Sequence, residues 1–342
     1  MSKLPDHVGI DFGNYSVKAV ELKNIKGDPS LLAFGGQSIP SGVLNSEDKE
    51  HQRKLADSLK SLYKSANIRN KKVVLAIPES AVFTRYIDLV GLKDNEIDTA
   101  VFFKAKQYIP IPIEDVQMSY IVLGFDPVKS TYNVLLVAAP KKSIDIYLSV
   151  AMQAGLEVIA IETESIAIGR AMYRANTLNH MVILDFGADT TNMAILHEGK
   201  MIFSQSIAIG SDSMTQALVN QFGLDYTQAE QYKRTYGIQQ GVIEDKIFNA
   251  LKPIVDAVLN EVQRGIEFYK TTTLRHSPAD FLLNGEAALL PGLSEYISSY
   301  FNMNASLANP WVNIKIPKKL EALVEKNRPN YSLALGLALK ED

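Results

Sequence analysis

Two stretches of the sequence carry the same Asp-Phe-Gly motif, with a hydroxyl residue three positions after the glycine. They span residues 9–18 and 183–192, and their aspartates, Asp11 and Asp185, are 174 residues apart (185 − 11). Each motif is predicted to form a strand, a tight turn and a second strand. The aspartate at the end of the first strand can face a metal ion, and the glycine lets the backbone turn without a Cβ in the way.

The turns of these hairpins can bind phosphate. In the first turn, the N–H groups of Gly13, Asn14, Tyr15 and Ser16 can point at a phosphate, with the Ser16 hydroxyl as a further donor. Asp-x-Gly also occurs in many ordinary β-turns, so one copy alone is weak evidence. Because the motif returns after about half the chain, we predict a duplicated domain whose two hairpins grip a polyphosphate from opposite sides.

The composition of the 342-residue chain limits the classes of protein it can belong to. The net charge of −3 gives no general field for binding polyanions. The absence of cysteine excludes disulfides, thiolate metal sites and thiol catalysis. The five histidines lack metal-ligand spacing, and no apolar run approaches the roughly 20 residues that span a bilayer. Without a signal-peptide core at the N-terminus, we expect a cytoplasmic protein.

The first part of the chain is predicted to fold as β-β-β-α-β, and a different unit is inserted after it. The inserted unit is predicted as β-α-β-β-α over residues 82–158, with Asp94 capping a helix that turns Tyr108 inward. After this helix, residues 108–115 contain two prolines. The segment is either a connector that ends the helix or the wall of a groove for a partner peptide.

Glu164 starts the helix that follows the insert. It either favours the helix dipole, which the sequence alone supports better, or orients a water towards a terminal phosphate. Further on, Thr227 and Glu230 fit a capping box. Glu230 and Lys233 also share one helix face, which can hold a ribose and the edge of a base.

The last third of the chain is predicted to contain one long helix and one more glycine turn. The helix covers residues 245–271, and Pro253 should kink or break it. A strand over residues 281–286 ends in a turn at Gly285 that can lie flat against a base. Trp311 is predicted to be a packing anchor, and residues 332–339 are predicted to form an apolar helix on the core.

Taken together, the two Asp-Phe-Gly hairpins, the acid-led helix, the Glu-x-x-Lys helix and the late glycine turn resemble the actin-like nucleotide-binding superfamily. The resemblance implies an α/β, two-lobed, ribonuclease H-like fold that binds ATP, with Asp11 and Asp185 holding Mg²⁺ through water. The implied units are a first lobe (1–81 and 159–180), the insert (82–158), and a second lobe (181–342) with a helical subdomain at about 212–275. The implied ATP contacts are Asp11, Gly13, Asn14, Tyr15, Ser16, Lys18, Asp185, Gly187, Ala188, Asp189, Thr190, Thr191, Asn192, Glu230, Lys233, Gly285 and Glu286, with Glu164 as the candidate catalytic residue. The superfamily usually has paired glycines in the adenosine motif, whereas Glu286 follows Gly285 here.

Within that superfamily the chain is most similar to the PilM family of type IV pilus assembly proteins. The local matches are residues 107–116, 229–237, 309–311 and 333–338. The resemblance implies a scaffold that binds the cytoplasmic N-terminal tail of the inner-membrane protein PilN, and at most a slow ATPase. Membrane contact would then be indirect, since the chain ends without the basic amphipathic helix of FtsA proteins. The alternatives are an FtsA-like filament former and a small-molecule kinase of the same fold.

Overall fold

A computed structural model describes residues 6–25, 28–40, 42–44, 46–175, 180–273, 278 and 280–341. The strands and helices form two five-stranded mixed sheets and one three-stranded antiparallel sheet. The predicted domain ranges also include residues outside the described ones, namely 1–5, 26–27, 41, 45, 176–179, 274–277, 279 and 342. None of the helices in the described part of the chain is both long and apolar enough to cross a membrane.

The first sheet has the order β3-β2-β1-β4-β8, and its last strand β8 (Glu157–Thr163) comes after the insert in sequence. The predicted β-β-β-α-β order is confirmed, with β3 longer than predicted. The elements are β1 (Val8–Phe12), β2 (Ser16–Ile25), β3 (Asp28–Ser38), α1 (Lys49–Ser65) and β4 (Lys72–Ile77). Asp48 caps α1 by accepting hydrogen bonds from two backbone N–H groups, and the apolar face of the helix packs on the sheet.

The insert builds its own small core between its three-stranded sheet, of order β5-β7-β6, and a helix. Its elements are β5 (Phe83–Val90), α2 (Ile97–Tyr108), β6 (Val116–Asp126), β7 (Thr131–Pro140) and α3 (Lys141–Gln153). Although α3 was predicted as part of the insert, it packs on the first lobe, because Tyr147, Val150 and Ala151 are buried in the core of that lobe. The predicted end of the insert at residue 158 therefore differs from where its own core ends, after β7.

Two details of the predicted α2 are wrong. Asp94 does not cap it, since α2 begins at Ile97 and the Asp94 carboxylate accepts a hydrogen bond from the Tyr132 hydroxyl. Tyr108 is not turned inward either. It is the last helical residue before the proline segment, is 40 % exposed, and its ring lies 5.1 Å from the guanidinium carbon of Arg85.

The second sheet repeats the topology of the first, with the order β11-β10-β9-β12-β13. The remaining elements are β8 (Glu157–Thr163), α4 (Glu164–Ala175), β9 (His180–Phe186), β10 (Thr191–His197), β11 (Lys200–Ile207), α5 (Ser211–Phe222), α6 (Tyr226–Tyr236), α7 (Lys246–Thr273), β12 (Asp280–Asn284), α8 (Leu293–Phe301), β13 (Asn304–Leu307), α9 (Lys318–Lys326) and α10 (Ser332–Ala338). The predicted break at Pro253 is absent, because α7 is continuous across it.

The chain returns to the first lobe after β13, which differs from the predicted second lobe of residues 181–342. Trp311 packs edge-on against Phe34 of β3, which confirms it as a packing anchor. The helix α10 lies on β1 and α4 so closely that a Cβ on Gly336 would come within 1.9 Å of the Ala167 carbonyl oxygen. Only glycine permits this contact, which brings α10 directly against α4 while it also packs on β1.

Candidate functional site

A cleft of about 720 Å³ opens between the two lobes, and both Asp-Phe-Gly turns line it. Sixteen of the seventeen residues implied as nucleotide contacts line this cleft, as does Glu164. The exception is Thr191, which is fully buried and donates its hydroxyl hydrogen bond to the Ile209 carbonyl oxygen at 2.8 Å. The two regions predicted to face each other are therefore brought together, whereas Thr191 supports the turn from behind.

The two turns are closed by equivalent hydrogen bonds. The Gly13 N–H donates to the Ser16 carbonyl oxygen at 2.9 Å, and the Gly187 N–H donates to the Thr190 carbonyl oxygen at the same distance. The prediction that the Gly13 N–H points at a phosphate is wrong, because the turn itself uses this donor. The N–H groups of the intervening residues remain as the candidate phosphate donors.

The first turn makes two side-chain hydrogen bonds with the second lobe. Asn14 of the first turn donates to the Asp189 carboxylate of the second turn. The Tyr15 hydroxyl donates to the Asp212 carboxylate at the start of α5, and this hydrogen bond is the main reason that the pKa of Tyr15 lies well above its usual range. The first turn thus contacts the second lobe at two points.

Asp11 is paired with Lys18. The two residues are directly opposite each other in the antiparallel β1–β2 ladder, so their side chains share one face, and Lys18 Nζ lies 3.3 Å from Asp11 Oδ2. Burial alone would lower the pKa of Lys18, but the charge and hydrogen bond of Asp11 outweigh it and raise the pKa above the usual value. The ammonium group therefore stays protonated beside the first turn.

Asp185 has a neutral partner. Asn284 Nδ2 donates to Asp185 Oδ1 at 2.6 Å, and the two residues are neighbours in the parallel β12–β9 ladder. Burial raises the pKa of Asp185 to about 6; the Asn284 hydrogen bond opposes this shift, and the nearby Asp11 adds to it. The carboxylate lacks a direct counter-charge and is poised to gain from a cation.

Glu164 lies at the N-terminus of α4 and faces the cleft. Its Oε2 accepts a hydrogen bond from the Glu79 N–H at 2.9 Å and another from Asn192 Nδ2 at 3.0 Å. Burial is the main reason that the pKa of Glu164 lies well above its usual value. This position is consistent with both roles considered for Glu164, the favourable interaction with the helix dipole and the orientation of a water towards a terminal phosphate. The hydrogen bond from Asn192 links Glu164 to the second lobe.

The far end of the cleft is formed by α6 and the Gly285 turn. The Lys233 side chain is 2 % exposed, and its ammonium group contacts Ser211, Thr215 and Glu230 at 2.5–3.1 Å. Glu230 Oε1 also accepts a hydrogen bond from Arg234 at 2.7 Å. Lys233 therefore fixes Glu230 in place, and the Glu230 carboxylate is the group that can accept from ribose hydroxyls.

The predicted capping box at Thr227 and Glu230 is wrong. Asp225 is the N-cap of α6, and it exchanges hydrogen bonds with Gln228 at 2.8 and 3.2 Å. The helix starts two residues earlier than that box requires, which leaves Glu230 free of capping and turned to the cleft.

The Gly285 turn approaches the first strand of the second hairpin. Gly285 has a φ of +84°, and a Cβ there would lie 2.4 Å from the Phe186 carbonyl oxygen. Glu286 is paired with Arg234 at 2.5 Å, and both side chains are more than half exposed. The side chain that replaces the second glycine of the superfamily motif is therefore held by α6.

Several lining residues escaped the sequence analysis. Asp212, Arg234, Asn284 and Asn330 all line the cleft. Asn284 carried a usable signal, because it directly precedes the predicted Gly285 turn. The contacts of Asp212 with Tyr15 and of Arg234 with Glu286 join distant parts of the chain and have no local signature.

The cleft is acidic. Its lining contains seven carboxylates and four cationic side chains, a formal balance of −3 (4 − 7): Asp11, Glu164, Asp185, Asp189, Asp212, Glu230 and Glu286 against Lys18, Lys233, Arg234 and Lys326. Among the described residues, no group of three or more His, Asp or Glu side chains is placed to hold a metal ion directly. Asp11 and Asp185 on facing turns therefore suit a Mg²⁺ ion that keeps its waters and is carried in by a phosphate.

Paired sheets of equivalent topology, with two Asp-Phe-Gly turns facing one cleft, define the actin-like α/β class of folds. Across residues 9–342 the chain matches the family described as type IV pilus assembly protein PilM, and it belongs to that family. A solved structure of a PilM–PilN type IV pilus biogenesis complex is similar over 98 % of both chains, with a TM-score of 0.86 and 26 % identity.

Two curated relatives are more distant. The ethanolamine utilization protein EutJ of Escherichia coli (strain K12) is 29 % identical over 156 residues, and the match spans 46 % of this chain and half the length of EutJ. The cell division protein FtsA of Bacillus subtilis (strain 168) is 20 % identical over a gapped alignment of 362 positions, which covers 91 % of this chain and 80 % of FtsA.

Proposed function

We propose that this protein binds ATP with Mg²⁺ in the interlobe cleft and acts as a scaffold in type IV pilus assembly by binding the cytoplasmic N-terminal tail of PilN. The observation that carries the proposal is the pair of equivalent Asp-Phe-Gly turns facing each other across the cleft. Membership in the PilM family supports the role in pilus assembly. Association with the inner membrane is then indirect, through PilN.

The charges of the cleft support binding of the metal complex of ATP rather than free ATP. A free triphosphate would add its negative charge to a lining that is already acidic, whereas Mg²⁺ offsets part of both. Asp11 and Asp185 hold the waters of the ion, and Lys18 lies beside the same phosphates. Glu230 and the Gly285 turn hold the nucleoside.

Hydrolysis is slow or absent in this arrangement. Glu164 is the only candidate base that the sequence analysis identified, and its Oε2 already accepts two hydrogen bonds. Burial also raises the pKa of Glu164, which disfavours the ionised form that a general base needs. In a scaffold, a bound nucleotide can stabilise the conformation of the protein without being hydrolysed.

The tail of PilN is proposed to bind beside the insert. In the segment after α2, Ile109, Ile111 and Ile113 pack against the core of the insert. Their packing makes this part of the segment a fixed wall, and Tyr108 at its start is exposed and supported by Arg85. The similar solved structure is that of a PilM–PilN complex, which supports PilN as the partner.

The nucleotide part is tested by isothermal titration of Mg–ATP into the wild type, Asp11→Ala and Asp185→Ala. Both variants should bind more weakly, because each removes an acceptor for the waters of the metal ion. Asp11→Ala should also narrow the difference in affinity between Mg–ATP and metal-free ATP, because it frees the charge of Lys18. Asp57→Ala, at an exposed surface ion pair, is the control. Unchanged binding in both cleft variants would contradict the two-turn clamp.

The partner part is tested by co-purification with a synthetic peptide of the PilN tail, with and without ATP. Tyr108→Ala should weaken capture of the peptide, whereas Tyr232→Ala, a similarly exposed tyrosine on α6, should not. Turnover of ATP in the presence of sugars or related alcohols would favour the kinase alternative instead. Nucleotide-dependent sedimentation of the protein alone would favour a filament former.

A further inference from the structure

One wall of the cleft is a short turn between α9 and α10, formed by residues 328–331. It packs against β2, β12 and the turn that follows Gly285. The Asn330 N–H donates to the Asn327 carbonyl oxygen at 3.1 Å. Two residues later, the Ser332 hydroxyl donates to Asn284, whose amide in turn holds Asp185. The wall is therefore connected to the candidate metal site by a fixed chain of hydrogen bonds.

Asn330 carries a polar atom that this wall leaves unsatisfied. Its Oδ1 is buried and has no hydrogen-bond partner. Among the described residues that line the cleft, Asn330 is the one that has such an atom. Burying an acceptor without a partner costs free energy, and such exceptions in a folded protein require an explanation.

The missing partner must be a hydrogen-bond donor. The triphosphate of ATP near neutral pH consists almost entirely of acceptors. The nucleoside, by contrast, offers N–H donors on the exocyclic amine of the base and O–H donors on the ribose. Because the Asn330 turn packs against the Gly285 turn, it lies at the end of the cleft that suits the nucleoside.

We propose that Asn330 Oδ1 accepts a hydrogen bond from the nucleoside of the bound nucleotide and helps to select it. This assignment rests on the proposed binding of ATP in the cleft. Because Oδ1 has no protein partner before the ligand arrives, turning it towards a nucleotide with the matching donor adds a hydrogen bond and breaks none that this oxygen makes. A nucleotide without that donor leaves the acceptor unpaired, which is the situation in which sites discriminate most strongly.

The test compares Asn330→Leu with the wild type by isothermal titration of Mg–ATP. Leucine keeps a similar size but removes the acceptor, so the Kd for ATP should rise about tenfold. The melting temperature of the nucleotide-free variant should stay the same or rise, because the unsatisfied oxygen is gone. Asn260→Leu is the matched control, since the Asn260 amide oxygen already accepts a hydrogen bond from Tyr300 on the surface of α7.

Analogues identify the donor without a variant. Purine riboside triphosphate lacks the exocyclic amine, and 2′-deoxy-ATP and 3′-deoxy-ATP each lack one ribose hydroxyl. One of the three should bind the wild type about tenfold more weakly than ATP and bind Asn330→Leu no more weakly than ATP does. Equal binding of all three analogues and ATP by the wild type would overturn the proposal, even if Asn330→Leu fails to fold.

The two levels of inference can fail separately. If the wild type does not bind Mg–ATP, the proposed nucleotide function itself is wrong. If the wild type binds ATP and Asn330→Leu binds it equally well, only the role of Asn330 is wrong. A fall in melting temperature together with unchanged discrimination among the analogues would show that Asn330 is purely structural.

Discussion

The two Asp-Phe-Gly hairpins are closed by the same kind of backbone hydrogen bond, but they differ in the charge of the residue that pairs with their aspartate across the strand ladder. Both turns are closed by the same glycine N–H hydrogen bond. In the first hairpin the residue opposite Asp11 is Lys18, whereas the residue opposite Asp185 in the second is Asn192. The duplicated turn therefore provides a charge-balanced carboxylate on one side of the cleft and a neutral-partnered carboxylate with a raised pKa on the other.

This difference shows how a repeated motif can divide its work. Asp11 contributes no unbalanced charge, so the first hairpin presents a cation–anion pair to the phosphates. Asp185 has a neutral hydrogen-bond partner, and only the more distant charge of Lys18 offsets its own, so it gains more from a cation or a proton. We infer that the second hairpin makes the cleft selective for the metal complex of the nucleotide, and that the first hairpin supplies general attraction to phosphate.

Replacing Lys18 should have the largest effect on this comparison. In Lys18→Met, Asp11 is left without its counter-charge in an acidic cleft, and the Kd for Mg–ATP should rise about 100-fold, or about 2.7 kcal/mol. The corresponding Asn192→Leu in the second hairpin should cost less than about tenfold, because no charge is lost. Isothermal titration measures both, with the exposed Lys60→Met as control. Equal losses at the two positions would remove the asymmetry.

The pH dependence of Mg–ATP binding should come from the second hairpin. Since the pKa of Asp185 is raised to about 6, a proton must leave this group for the cation to bind, and the Kd should rise about tenfold per pH unit below 6. The terminal phosphate of ATP titrates in a similar range. The diagnostic measurement is therefore the difference between wild type and Asp185→Asn at pH 5 and 7.5. Parallel pH profiles for the two proteins would contradict the prediction.

The two aspartates should affect stability with opposite signs in the nucleotide-free protein. The folded pKa of Asp185 lies above its usual value, so its ionised form destabilises the fold, and this penalty grows as the pH rises through about 6. Allowing for its partial exposure, Asp185→Asn should add about 1–2 kcal/mol to the free energy of unfolding at pH 7.5. The gain should fall to about a third of this at pH 4.5 and vanish only below the usual pKa of 3.8.

Asp11→Asn should lower the free energy of unfolding by about 1–2 kcal/mol at pH 7.5, because it leaves Lys18 without its partner. Urea denaturation at both pH values measures the two variants under the same conditions. A shift of the same sign in both would mean that the hairpins are electrostatically alike.

The smallest effect should come from the direct link between the hairpins. Asn14 and Asp189 are both accessible to solvent, so their coupling in a double-mutant cycle with alanine should be about 0.5 kcal/mol of ATP binding energy. Titration of the wild type, both single variants and the double variant gives this coupling. A coupling well above 1 kcal/mol would mean that the hairpins act as one unit.

The sequence predicted the parts of the fold that have a local signature. The hairpins, the long α7 and the Gly285 turn were found because their glycines and apolar spacing act within a few residues. The capping box was misplaced because Asp225–Gln228 and Thr227–Glu230 both have the required spacing, and only the direction in which the chain enters α6 decides between them. The sequence motif does not distinguish Thr190, which lines the cleft, from Thr191, which is buried behind the turn. Adjacent residues at the start of a strand point to opposite faces, and the motif does not indicate which of the two points to the cleft.

The rest of the site depends on contacts between distant segments. The hydrogen bonds that join Asn284 to Asp185 and Asn14 to Asp189 bridge 99 and 175 residues. The docking of α3 and α10 on the first lobe likewise depends on which apolar faces meet. No local pattern of residue types specifies these pairings, so the sequence alone does not predict them.

The position of α10 has a consequence for how this protein is made. A Cβ on Gly9 would lie 2.0 Å from the Ala334 carbonyl oxygen, and Lys315 pairs with the edge of β3, so residues 311–339 complete the first lobe. During synthesis, residues 311–339 must therefore leave the ribosome before that lobe can close. Until then, the face of the first sheet that α10 covers stays exposed to solvent.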